Sequence, residues 1–395
     1  MIIPRYHPYL DLEEIKALYD STEDIIQKFE RNFAKLVGSK YAVTFSHGRS
    51  ALYCILKSLD IEKKEILIPS YTCGIVPSVI IDSGNSIRFT DISLTDYNMI
   101  IDDALKKISK KTKAIVPVHT YGYPVDIKEL KQRINEDVYI IEDAALALLS
   151  KNTGKYSNIT FYSLDIVKQI YTAGGGIATT NNKEIYEKLK GYISRNSKNT
   201  KFNEINKLLK ILSSYLMFNK IFFKAYDIFD QHYVKKLHSR YMDQFQFILL
   251  NDFLNVYSRT QAKIGLVQLK KIHDIVKKAT FIAKFYNDEL STLRNIELPP
   301  LIDGATYSKY TIRVKKRDEF QKTMAKKGIY VNNQWPYSVA YYPKYKKYLK
   351  TGKFKNSLTA SQSVINLPNY PSLYDNSDIL DYIVDTIKKY NKKIV

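Results

Sequence analysis

From Phe29 to Ile141, short apolar runs alternate with helix-length segments, and this alternation constrains the fold more than any other feature of the chain. Tyr41–Phe45, Ile66–Pro69, Ser86–Phe89, Ala114–Val118 and Val138–Ile141 read as strands. Phe29–Val37, Arg49–Leu59, Ile75–Asp82 and Ile127–Arg133 read as helices between them. A helix between successive strands makes a crossover, so the strands run parallel, with helices on both faces of the sheet. Asn181–Ser194 adds a further helix. Glu204–Leu250 has a different texture, rich in Leu, Ile, Phe, Tyr and Lys, without strand signals. A long helix is expected over Tyr257–Leu290, a strand over Tyr307–Val314, a helix from Asp318 and a terminal helix from Asn376 to Tyr390. The expected organisation is a large α/β domain over 1–256, with a helical insert at about 204–250, and a small α+β domain over 257–395 with its linking helix.

Composition removes several classes. The 395 residues are 45% hydrophobic, enough for a large core and two domains. No run approaches the ~18 to 20 apolar residues of a membrane span. The first residues, Met1 to Arg5, lack the apolar core of a signal peptide. Cys54 and Cys73 have no metal-site spacing and make no disulfide framework, so a reducing cytoplasm is expected and no metal site. The formal net charge of +21 suits an anionic partner, or simply solvated lysine-rich faces. No nucleic-acid-binding motif accompanies it, so no nucleic-acid partner is expected.

The chemistry is concentrated between Glu142 and Gly176. Val138–Ile141 runs into Glu142-Asp143, a carboxylate at a strand end. Ser163 and Lys168 follow, then the run Gly174-Gly175-Gly176. A carboxylate, a hydroxyl and a lysine in this arrangement suit pyridoxal 5′-phosphate (PLP): the lysine binds it covalently, the carboxylate supports its pyridine nitrogen, the hydroxyl holds its phosphate. Taken singly, Asp143 also reads as a helix cap and Lys168 as a surface lysine. Upstream, Gly48-Arg49-Ser50 lies between a strand and a helix, where backbone N–H groups would cradle a phosphate. Taken alone, this reads more readily as an ordinary strand–turn–helix junction.

Ser46-His47-Gly48-Arg49-Ser50-Ala51-Leu52, Pro69-Ser70-Tyr71-Thr72, Glu142-Asp143-Ala144-Ala145, the lysine segment, Gln261-Ala262-Lys263-Ile264-Gly265 and Leu367-Pro368-Asn369-Tyr370-Pro371 occur in a telling order. Together they resemble the DegT/StrS group of PLP-dependent sugar aminotransferases, which have the aspartate aminotransferase fold. The resemblance implies a large domain with a mainly parallel sheet and a small C-terminal α+β domain. It makes Lys168 and Asp143 the catalytic pair. It gives Gly48, Arg49, Ser50, Cys73, Asp143, Ser163, Lys168 and Asn255 to the cofactor, with Asn255 or Asn251 reaching the phosphate of a neighbouring subunit. His119, at a strand end where open α/β sheets bind ligands, is a candidate for the substrate side or equally a hydrogen-bonded structural histidine, and Tyr71 is a second candidate for that side. A glutamate-type donor, a nucleotide-linked keto-sugar acceptor, a homodimer with shared active sites and a role in surface glycan synthesis are implied likewise.

Departures from the family pattern are local. Leu146 stands where Gln or His is usual, and Cys73 where an aromatic ring stacks on the cofactor. They motivate a second reading, in which PLP serves dehydration of a sugar, or a lipid-linked or non-sugar ketone is the acceptor. Lys168 speaks against dehydration, since the dehydratase relatives carry His there. A third reading, a non-enzymatic sensor or regulator, rests on charge alone. Ile205–Phe229 exceeds the family's usual connection. It projects Lys207, Lys210, Lys220 and Lys224 on one side, so weak association with an anionic membrane surface stands beside the expectation of a buried helix.

Overall fold

In the computed structural model, residues 2–198, 201–218, 252–349 and 352–394 are described. Seven strands form the main sheet: β1 (Tyr41–Phe45), β2 (Glu65–Pro69), β3 (Ser86–Thr90), β4 (Thr112–Ile115), β5 (Tyr139–Asp143), β6 (Ile159–Ser163) and β7 (Gly176–Thr180). Their order is β1-β7-β6-β5-β4-β2-β3. β3, β2, β4, β5 and β6 pair in parallel. β7 is antiparallel to both its neighbours. The reason is the connection: β6 and β7 are joined by a loop at one end of the sheet, with no crossover helix to carry the chain back. The sheet is therefore mainly parallel, with one reversed strand.

Both faces of the sheet are buried, which is why its strands read as continuous apolar runs. Ile66 and Ile68 enter one cluster with Ala114 and Ile141. Leu67 enters the opposite one with Ile115 and Ile140. The alternation is the period of two that a strand imposes. Helices stand where the sequence places them: Ile25–Leu36, Gly48–Ser58, Ile75–Asp82, Ile127–Arg133, Lys183–Asn196 and Arg259–Leu290. The last begins with a capping box between Ser258 and Gln261.

A second, antiparallel sheet orders β10 (Val364–Leu367), β9 (Tyr310–Val314) and β8 (Ile296–Glu297). It is joined to the main sheet by an aromatic cluster. Trp335 stacks on Tyr121 at 5.2 Å and meets Tyr71 edge-on at 5.3 Å. The N-terminal segment belongs to this side: Ile3 N–H donates to Gly328 O, and Ile3 O accepts from Tyr330 N–H.

The segment expected as a basic helical insert is only partly within the described residues. Lys201–Met217 is a helix; Lys220, Phe222, Phe223, Lys224 and Phe229 lie outside the described residues. Lys207 is not on a solvated basic stripe. It is 1% exposed, turned inward, while Ile205, Leu209, Leu212 and Leu216 are exposed. The helix is held by Ile211, buried against Tyr171 and Ile264, and by a Tyr171–Ser214 hydroxyl contact of 2.8 Å. No helix among the described residues is long and apolar enough to cross a membrane.

Candidate active site

Three elements meet at the C-terminal ends of the parallel strands, where open α/β sheets bind their ligands. The first is the end of β5. Glu142 and Asp143 are adjacent on a strand, so their side chains point to opposite faces. Glu142 is buried beneath the site. Its Oε1 lies 2.6 Å from His119 Nε2, and its Oε2 accepts from Gly154 N–H, Ser157 and Thr160. Burial pushes the Glu142 carboxyl up, but the hydrogen bonds, led by His119, outweigh it and hold the group below its ordinary value. His119 Nδ1 accepts the Val125 N–H at 2.9 Å, so its proton is on Nε2, donated to Glu142. His119 also donates its backbone N–H to Asp143 O. It thus buttresses the strand end from below and, fully buried, does not line the cavity.

Asp143 faces the cavity. One oxygen, Oδ1, accepts the Ala145 N–H at 2.9 Å. Burial pushes its carboxyl above the ordinary value, and the Ala145 hydrogen bond and the Lys168 charge only partly offset this. A cation beside it would restore the carboxylate.

The second element is the β6–β7 loop that carries Lys168. It leaves at Ser163 and is closed by hydrogen bonds from Leu164 N–H to Gly175 O and from Thr172 N–H to Leu164 O. Lys168 caps a turn by donating its N–H to Asp165 O, and its side chain enters the cavity. The glycine run returns the chain to β7. A side chain on Gly176 would begin 2.5 Å from His47 O and 2.6 Å from Gly48 N, so only glycine lets β7 pass behind the turn.

The third element is that turn. His47 is extended and gives no side-chain cap to the helix Gly48–Ser58. The first N–H groups of the helix are therefore available, with the positive end of its dipole, to an anion. Gly48 packs on Ser163, and the Arg49 Nε is buried without a hydrogen-bond partner among the described residues. His47 Nε2 lies 3.1 Å from Asp252 Oδ1. That contact, with the Lys207 and Arg49 charges, holds the Asp252 carboxyl far below its usual range.

Gly48, Arg49, Cys73, Asp143, Ser163 and Lys168 all line one cavity of about 880 Å³. The remaining candidates lie elsewhere. Ser50 turns its hydroxyl to Phe253 O at 2.5 Å. Tyr71 is fully buried in the aromatic cluster, its hydroxyl 2.9 Å from that of Tyr121. Asn255 lines a separate, smaller cavity in this subunit and bridges to Lys198; Asn251 lies outside the described residues. Leu146 is part of the apolar core, not of the cavity wall.

The opposite wall was not read from sequence. Arg5, Lys309, Arg317, Gln334 and Tyr337 come from the N-terminal segment and the C-terminal part of the chain. Burial, then the Lys168 and Arg5 charges, push the Lys309 ammonium down to about 7. A lysine in the run Tyr307–Val314, just ahead of the strand that begins at Tyr310, was the available signal; Arg5 gave none.

A strand-end carboxylate and a loop lysine around one cavity, on this sheet, define an aminotransferase-type enzyme with the aspartate aminotransferase fold. The chain belongs to the DegT/DnrJ/EryC1/StrS aminotransferase family, whose model matches residues 14–216 and 253–388. An uncharacterized protein of Methanocaldococcus jannaschii is 29% identical over 98% of this chain and 97% of its own length. The GDP-perosamine synthase of Escherichia coli O157:H7 is 27% identical, covering 98% of each chain. A putative sugar aminotransferase of Streptococcus pneumoniae, solved in its apo form, superposes with a TM-score of 0.79 at 21% identity over 100% of this chain and 98% of that one. Membership of an aminotransferase family supports the enzyme reading.

The family's cofactor is PLP, and the residues present fit it. The open helix start lies beside Ser163, and among the described residues Arg49 Nε is an orphaned donor and one Asp143 oxygen receives no protein hydrogen bond.

Proposed function

We propose that this chain is a PLP-dependent sugar aminotransferase, moving an amino group from a glutamate-type donor to a nucleotide-linked keto-sugar for surface glycan synthesis. The observation that carries the reading is the placement of Asp143 and Lys168 on one cavity with the open helix start at Gly48. The named relatives that act on nucleotide-linked sugars support the substrate class.

PLP, when bound, supplies an electron sink that eases ionisation of the bond to the substrate's Cα hydrogen. Lys168 would hold the cofactor covalently, and its Nζ, when free, would carry the proton away from that Cα. Asp143 would keep the pyridine nitrogen protonated. Gly48, Arg49 and Ser163 would orient the phosphate end. Arg5, Lys309 and Arg317 form a cationic wall facing Lys168, suited to a donor carboxylate or a sugar-nucleotide diphosphate. With the keto-sugar, the Lys168 Nζ would return a proton in the opposite sense. Leu146, away from the cavity, gives no support to dehydration. The reading includes a cytoplasmic homodimer in which Asn255 serves the neighbouring subunit.

The test incubates purified protein with glutamate and a set of GDP- and dTDP-linked keto-sugars. The absorption of the lysine-bound cofactor should give way to that of the amine form with glutamate and return with the right sugar. Borohydride should fix the cofactor on Lys168, and Lys168→Ala should lose both that adduct and transamination. A reducible adduct on another lysine, or water release without amine transfer, would overturn the reading.

A further inference from the structure

Lys207 has no part in the site as the family resemblance draws it, yet it is the most conspicuous buried charge near that site. It projects from the helix Lys201–Met217 and is 1% exposed. Its Nζ has no hydrogen-bond or ion-pair partner among the described residues. It lies 3.8 Å from the point where a side chain on Gly174 would begin, against the loop that carries Lys168. A buried ammonium without a partner is costly unless an anion completes it.

The charges around it are few. Asp252 and Asp165 attract it; Lys210 and Arg49 repel it. Asp252 is already engaged by His47 at 3.1 Å, and neither carboxylate reaches ion-pair distance of Lys207. Arg49 shows the same deficit, with its buried Nε unpartnered. Arg49, in the first turn of the helix Gly48–Ser58, lines the cavity, and Lys207 stands near enough to feel its charge without lining the cavity itself. The helix that delivers Lys207 is fixed by Ile211 and by the Tyr171–Ser214 contact, so the ammonium is placed rather than free to swing out.

We infer that Lys207 and Arg49 form, within a single subunit, the cationic seat of a phosphate monoester dianion bound at the Gly48 turn. The inference rests on the PLP reading above and gives the cofactor's phosphate a charged partner from the same chain. Burial, then Lys210, push the Lys207 ammonium down to about 8; a dianion beside it keeps it charged at neutral pH.

The experiment titrates the full-length protein, stripped of cofactor, with PLP and separately with pyridoxal, which lacks the phosphate. Formation of the lysine adduct is followed by absorbance. Lys207→Gln should weaken PLP about tenfold or more and leave pyridoxal unchanged, as expected for loss of a charge-assisted contact. Lys207→Arg should stay close to wild type. Inorganic phosphate should raise the melting temperature of the stripped wild type, and raise it less in Lys207→Gln. Lys207→Gln that folds and prefers PLP over pyridoxal as strongly as wild type overturns the inference. So does a stripped wild type whose melting is indifferent to phosphate, an outcome that counts even where Lys207→Gln fails to fold. A wild type that forms no adduct with PLP overturns the functional reading itself, which separates the two failures.

Discussion

Asp143 carries its role through burial. Its carboxyl is pushed up when nothing opposes it and is ready to pair with a pyridinium. Asp143→Asn keeps the shape and the Ala145 contact but removes the charge. Turnover should fall by orders of magnitude with little change in melting temperature, since each ~1.4 kcal/mol of lost stabilisation is tenfold in rate. Steady-state kinetics beside a melting curve would show this; near-normal turnover would reduce Asp143 to a structural residue. Lys309 makes a pH prediction. Its folded value, about 7, lies below the ordinary 10.5. Between those values the unfolded chain holds a proton that the folded chain lacks, so this group's contribution to stability rises with pH, and its penalty is full below 7. Cofactor-free Lys309→Met should therefore melt higher than wild type at pH 6, with the gain shrinking toward pH 10. A gain that does not depend on pH would show that packing, not charge, is responsible. Lys168, Asp143, Ser163 and Gly48 were legible because their chemistry needs those residue types at strand ends and turns. Lys309, Arg317 and Arg5 were not, because only the tertiary fold brings them across to face Lys168.

At the scale of elements, the strands and helices of the crossover region were legible from periodicity, and Ile75–Asp82 and Ile127–Arg133 match residue for residue. β7 was missed. Gly176–Thr180 is short and follows the glycine run, so local pattern reads as turn, whereas pairing with both β1 and β6 makes it strand. The Ala114–Val118 run was read too long as strand: pairing within β4 stops at Ile115, and Val118 makes only an isolated bridge to Asp143. The cost of disturbing β7 should exceed any propensity effect. Gly176→Ala places a methyl against backbone atoms of His47 and Gly48, which cannot retreat as a side chain would. It should lower the melting temperature and weaken PLP together. Gly191→Ala, in the helix Lys183–Asn196, meets only the Arg195 guanidinium at 3.4 Å and should be neutral or stabilising by up to about 1 kcal/mol. Thermal melts of the two variants side by side check both; a Gly176→Ala protein as stable as wild type would mean that β7 can shift away from the turn.

The whole molecule carries a net charge of +21, and the question at this scale is whether that charge, with the helix after residue 200, draws it to membranes. An interfacial helix needs its lysines in the headgroup layer, each contributing roughly 1 kcal/mol. Lys207 is instead inside the protein, so the described part of the helix offers Lys210 without the stripe that the sequence alone suggested. What remains among the described residues is diffuse surface charge, whose attraction decays within the Debye length of ~8 Å at physiological ionic strength. The expected behaviour is measurable binding to vesicles containing anionic lipid at low salt, and little or none at physiological salt. Sedimentation of the full-length protein with such vesicles across a salt series measures it. Binding that persists at several times physiological salt would require apolar insertion, for which Ile205, Leu209, Leu212 and Leu216 are the exposed side chains available. Replacing Leu209 and Leu216 by Glu would then abolish it and favour a lipid-linked acceptor. Loss of binding with salt alone, unaffected by those replacements, would mean that the vesicle attraction is electrostatic, the kind of field that also draws small anionic ligands.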